Sequence, residues 1–156
     1  MTSQHASGEL IGIAIRSKSR AEMIEHDHLD VSTEAGLEGD FRGKPGKRQV
    51  TVMAIEDWQA ACDELDLDEP LGWTTRRANL LVRGVALAEK TGSVLAIGDT
   101  RLKITGETDP CGRMDESQPG LMKALTPDWR GGVCCTVLSG GAVKVGEPVT
   151  LEADAT

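Results

Sequence analysis

Tyrosine is missing from this chain, and the other aromatics amount to one Phe and three Trp. Its core must therefore rest on Val, Leu, Ile and Ala, the aliphatic residues most often found inside. No apolar run approaches the roughly 18 residues that a membrane-spanning helix needs. Met1-Thr2-Ser3-Gln4-His5 has neither the basic nor the apolar region of a secretory signal. A cytoplasmic location is the expectation, and there thiols stay reduced. The four cysteines, Cys62, Cys111, Cys134 and Cys135, lack the CxxC spacing of a zinc site. Adjacent Cys134 and Cys135 would point to opposite strand faces, which disfavours a mutual disulfide and favours packing. Cations are also few: Lys plus Arg is 17 against 25 Asp plus Glu, a formal net charge of −8. That field repels polyanions, so neither nucleic acid nor an anionic membrane is an expected partner. A small anion held in a locally basic pocket remains compatible with it.

Familiar catalytic signatures are absent as well. There is no P-loop and no G-x-S-x-G. No flavin, nicotinamide or iron–sulfur motif occurs, and no lysine is marked out for a Schiff base, which argues against covalent pyridoxal phosphate. Of the three histidines, His26 and His28 alternate with Glu25 and Asp27 and read as solvated surface.

What the chain does have is a series of short apolar, partly β-branched runs separated by many of its 18 glycines. Residues 10–15, 49–53, 79–82, 93–97, 101–105 and 133–138 read as strands. Gly140-Gly141 then leads into residues 142–145 and 148–151, a hairpin-like finish. Residues 16–35 read as a polar stretch and 36–47 as a surface loop, where function is more often carried than on strands. Ile55, Trp58, Cys62 and Leu65 fall at helical spacing, which predicts a helix over 55–65. A short helix is expected near 120–125. At 156 residues with no linker or repeat, the chain reads as a single domain. Its core would span about 10–151, with Ala153–Thr156 frayed. The expected fold class is mostly β, a barrel-like domain with a few helical insertions.

Cys111 stands out chemically. It lies in Asp109-Pro110-Cys111-Gly112-Arg113, where proline stiffens the backbone. Arg76-Arg77 precede it and Arg130-Gly131-Gly132 follow it. Nearby cations favour the thiolate, the form that attacks, carries sulfur or binds soft metals. The Asp109 carboxylate, by charge alone, disfavours it. A buried structural thiol is the plainer alternative. Arg48, Arg76, Arg77 and Arg130 could each be ordinary surface arginines or grip an anion. Gly36, Gly39 and Asp40 read as turn-formers, although the Asp40 carboxylate could also orient an arginine.

In order, Gly36-Leu37-Glu38-Gly39-Asp40, Arg48-Gln49-Val50-Thr51, Arg76-Arg77-Ala78-Asn79-Leu80, Ile97-Gly98, Pro110-Cys111, Arg130-Gly131-Gly132-Val133 and Val145-Gly146-Glu147-Pro148-Val149 follow one another. This succession resembles the MOSC family, named for the C-terminal domain of molybdenum cofactor sulfurases. The resemblance runs from about Leu10 to Leu151. It implies a β-barrel-like fold and a molybdenum–pterin cofactor, with Cys111 as the metal ligand. Arg77 and Asn79 would hold the pterin or its phosphate, with Arg76, Arg48, Asp109 and Arg130 nearby. The activity implied is an oxidoreductase acting on small N-hydroxylated or related compounds, with a separate electron-donor protein. One alternative is a sulfur carrier that accepts a persulfide on Cys111 from a cysteine desulfurase. A second is a domain of this fold without retained catalysis.

Overall fold

The computed structural model of the protein describes residues 6–18, 21–67, 69, 71–108 and 112–152. Eleven strands occur among them: β1 (Ala6–Ile15), β2 (Ile24–Glu25), β3 (His28–Ser32), β4 (Gly36–Leu37), β5 (Val50–Ala54), β6 (Leu80–Arg83), β7 (Val94–Ile97), β8 (Thr100–Glu107), β9 (Val133–Ser139), β10 (Gly141–Lys144) and β11 (Pro148–Glu152). Helices α1 (Ile55–Leu65), α2 (Gly112–Ser117) and α3 (Leu121–Leu125) are short, and 3-10 turns cover Trp73–Arg76 and Pro127–Trp129. No helix among the described residues is long and apolar enough to cross a membrane.

Seven strands close into a barrel in the order β11, β7, β8, β9, β5, β6 and β1, with β1 pairing back onto β11. Closure removes the exposed edges that an open sheet would carry. β2 extends one end of β1, and β10, β3 and β4 form a separate three-stranded sheet. Every pairing is antiparallel except β5 with β6, which run parallel in the register Val52↔Leu80, Met53↔Leu81 and Ala54↔Val82. The mostly β, barrel-like expectation is borne out.

Side chains alternate across the barrel wall because a strand's period is two. On β8, Leu102 and Ile104 are fully buried in the interior while Arg101, the residue before Leu102, faces solvent. Val50, Val52 and Ala54 of β5 join the same interior cluster. Met53 and Leu81 point the other way, into a second cluster beneath the helices with Trp58, Ala61, Leu121 and Leu125. Each fully buried leucine contributes about 1.5–3 kcal/mol by leaving water. α1 spans the expected residues and ends at Asp66, whose left-handed backbone (φ 49°) breaks the helical path. The expected short helix is α3.

Two local readings are corrected. The polar stretch and the start of the surface loop contain β2, β3 and β4, not irregular chain alone. The closing hairpin does not form: β10 pairs with β3, and β11 with β1 and β7. The reason is the turn between them. Gly146 adopts φ +100° and donates its N–H to Leu10 O (2.7 Å), while Leu10 N–H donates to Glu147 O (2.9 Å). The chain is thereby handed to β1 instead of folding back on β10. Residues 153–156, expected to fray, lie outside the described residues.

Candidate functional site: an arginine-lined cavity on the barrel wall

Thr51 lies between Val50 and Val52 and so faces outward from the barrel. There it forms, with Ala78 and Asn79, part of the wall of a cavity of about 310 Å3. Five arginines (Arg16, Arg42, Arg48, Arg76 and Arg77) line it, against two carboxylates, Asp40 and Glu116. The parallel pairing explains part of this convergence. Because β5 and β6 begin at the same end, the segment entering β5 (Arg48) and the segment entering β6 (Arg76, Arg77) meet side by side. β1 runs antiparallel to β6, so its last residues deliver Arg16 to the same place. In a chain of formal charge −8 this is a local reversal of sign.

The arginines differ in what they already hold. Arg76 is 7% exposed. Its Nε donates to Gly131 O (3.1 Å), its Nη2 to Thr108 O (2.9 Å), and its Nη1 meets Met114 Sδ (3.8 Å). The carbonyls satisfy a charge that would otherwise be costly to bury. Gly131 is needed there, because a Cβ would come within 2.8 Å of Thr108 O and 3.1 Å of Arg76 Nη2. Arg77 follows in a left-handed conformation (φ 66°), donating one Nη2 bond to Ala21 O. That conformation ends the 3-10 turn and lets two successive arginines diverge. Arg42 and Arg48 make no side-chain hydrogen bond or ion pair among the described residues.

Asn79 is a tie between three strands. Its Oδ1 accepts from Thr51 N (3.0 Å) and Thr51 Oγ1 (3.2 Å), and its Nδ2 donates to Ala14 O (3.2 Å). It joins β1, β5 and the head of β6 beneath the cavity. Asp40 behaves as a turn residue: its carboxylate accepts the backbone N–H groups of Arg16 and Arg42, both at 3.3 Å.

The structure thus brings Arg48, Arg76, Arg77 and Asn79 to one cavity. Arg130 lies apart from its lining: Nη1 pairs with Glu64 Oε1 at 2.6 Å and also donates to Ala124 O at 3.0 Å. Cys111 and Asp109 lie outside the described residues. Thr108 and Met114, each three positions from Cys111 in the sequence, are both cavity wall. Sequence reasoning missed Arg16 and Arg42. Arg16 directly follows the first apolar run, and Arg42 sits within the glycine-rich loop already suspected of function, but a lone arginine in either place carries no pattern.

The described cysteines are poor nucleophiles. Cys135 is fully buried, and desolvation raises its pKa. Cys134 Sγ lies 3.2 Å from Thr108 Oγ1 and is 4% exposed. Burial also raises the Cys62 thiol, with Asp63 adding to the effect. Among the described residues no three His, Cys, Asp or Glu side chains gather as a metal site.

Fold and site together define a small closed β-barrel carrying a guanidinium-lined cavity on its outer wall. The MOSC domain model matches residues 25–150, and the chain belongs to the MOSC family. Its fold is similar to that of the YuaD protein from Bacillus subtilis, at 22% identity and a TM-score of 0.82, covering 96% of this chain and 98% of that one. It also resembles YiiM from Escherichia coli (18% identity, TM-score 0.70, covering 95% and 71%) and YiiM from Geobacillus stearothermophilus (15%, 0.71, covering 92% and 74%). No curated protein matches the chain significantly.

Proposed function

We propose that the cavity binds a phosphate-bearing pterin–molybdenum cofactor, and that the protein is an oxidoreductase acting on small N-hydroxylated or related compounds. The observation that carries this reading is the five-arginine cavity, whose wall includes Thr108 and Met114 on either side of Cys111 in sequence. The donor set fits the anionic end of such a group, because guanidinium forks match phosphate oxygens. The soft ligand for the metal is Cys111, a thiolate once its proton is lost. When bound, the cofactor supplies the oxygen and electron exchange that no side chain here offers.

The protein's own residues bind and orient. Arg77 offers a guanidinium to the phosphate from a fixed backbone. Arg76 braces the wall by holding Thr108 and Gly131. Asn79 and Thr51 lock the supporting strands together. Electrons come from a separate donor protein.

The test is purification from a host that makes the cofactor, followed by metal and pterin assay. About one molybdenum per chain is expected, lost in Cys111→Ala and reduced roughly tenfold in Arg77→Ala. Lys144→Ala, on β10, should change neither. Metal-free protein carrying labile sulfur on Cys111 would replace this reading with the sulfur carrier.

A further inference from the structure

The segment from Arg42 to Arg48 reads Arg-Gly-Lys-Pro-Gly-Lys-Arg, four cations in seven residues without a carboxylate. Beside the arginine-lined cavity lies a second, more open depression, lined by Phe41, Arg42, Lys44, Pro45, Gly46 and Arg48. Arg42 and Arg48 line both. Neither guanidinium has a partner among the described residues, whereas Arg76 and Arg77 are each bound to backbone carbonyls.

The backbone that carries these two side chains is held at several points. Asp40 accepts from Arg42 N, Phe41 N donates to Arg16 O (2.8 Å), and Gln49 Nε2 donates to Gly43 O (3.0 Å) and Thr33 O (2.8 Å). At Gly43 even a Cβ would fall 1.7 Å from Ala35 O, so the loop lies directly against its neighbour. With five arginines against two carboxylates in the cavity and no side-chain partner on Arg42 or Arg48 among the described residues, the rim on this anchored loop is open to an anion that is not part of the protein. The net −8 of the chain turns away long polyanions, so the fitting occupant is compact.

We propose that Arg42 and Arg48 form an anion subsite at the edge of the cavity that takes the phosphate or carboxylate group of the substrate, making small acidic compounds the preferred substrate class. That the anion belongs to the substrate rests on the cofactor reading above; that the rim binds an anion does not. Arg77, the residue assigned to the cofactor's phosphate, lines the cavity but not the open depression, so the depression side of the rim is the part of the subsite that Arg77 does not share.

Inorganic phosphate and succinate are titrated calorimetrically into the full-length protein, metal-free and cofactor-loaded. Both forms should bind. The Arg42→Gln/Arg48→Gln double variant should lose roughly tenfold in affinity, a modest loss for two charge-assisted contacts because both groups are exposed. Tighter phosphate assigns phosphomonoesters, and tighter succinate assigns carboxylates. Because both side chains are exposed, the double variant should melt with the parent, so a weakened titration cannot be attributed to unfolding. Unchanged affinity in the double variant, an equal loss in Lys144→Gln, or no binding by about 10 mM would overturn the subsite. Binding that vanishes on cofactor loading would give these arginines to the cofactor and overturn the substrate assignment. Should the protein never load with molybdenum, the metal-free titration still decides the rim on its own.

Discussion

Replacing Arg76 by methionine separates a strut from a ligand. Arg76 is buried, and its guanidinium satisfies the carbonyls of Gly131 and Thr108, at 3.1 and 2.9 Å. Methionine keeps much of the length and apolar bulk but donates nothing, so both carbonyls lose a charged donor. Hydrogen bonds to charged groups are worth about 1.5–3 kcal/mol each, and the pair together about 3–5 kcal/mol because the losses share one side chain. For a chain of this size, about 2–4 °C per kcal/mol translates that into a melting temperature lower by about 6–20 °C. The assay is thermal unfolding followed by circular dichroism, with phosphate affinity measured on the same sample below the transition. Arg77→Gln serves as contrast, since its loss of one bond to Ala21 should move the melt much less. If Arg76→Met melts with the parent while phosphate affinity collapses, Arg76 is a ligand-binding group and the bracing role assigned to it is wrong.

Two further outcomes follow from burial and close approach. Asp57 is half-buried at the start of α1, and its pKa is raised from 3.8 to about 6, first by desolvation, then by Glu56 and Asp128, with Arg130 opposing. The folded state therefore holds this proton more tightly than the unfolded chain, so the contribution of Asp57 to stability is fully present below about pH 4 and is lost as pH rises through 6. Asp57→Asn should flatten that slope and add about 1 kcal/mol at pH 7, discounted for partial exposure; urea midpoints from pH 4 to 7 measure it, and an unchanged slope would place the titration elsewhere. At Gly43 the obstructing atom is backbone, Ala35 O at 1.7 Å, and cannot swing aside. Gly43→Ala should thus displace the 40–48 loop, costing about 2–4 kcal/mol and weakening anion binding together; a variant as stable as the parent by chemical denaturation would show that the loop gives way freely.

The barrel was legible where a strand buries a whole face. β1, β5, β6, β8 and β9 each carry a run of Val, Leu or Ile because their inner residues fill one continuous interior. β3 was not legible: of its five residues only Val31 is buried, and charged neighbours on the outer face hide the alternation. β10 announced itself as a strand but not its partner, since pairing was decided by the turn at Gly146 and its bonds to Leu10. α2, with polar Asp115, Glu116 and Ser117 after Met114, offers no apolar stripe from which a helix could be read. At the site, the arginines preceding β5 and β6 were legible through motif order. Their division of labour was not, because which guanidinium is spent on carbonyls depends on Gly131 and Thr108, both distant in sequence.

The parallel register of β5 and β6 has a consequence for how the site can change. Sliding one strand by a single residue would turn Thr51 into the hydrophobic interior and expose Val50 and Val52, so the smallest step that keeps the core is two residues, about 6.6 Å. The separation between the two arginine-bearing entry segments is therefore discrete, not adjustable by small drifts of the wall. A lineage adapting this cavity to a larger or smaller ligand is confined to side-chain replacement and to the loop at 38–48, which lies outside the paired barrel strands.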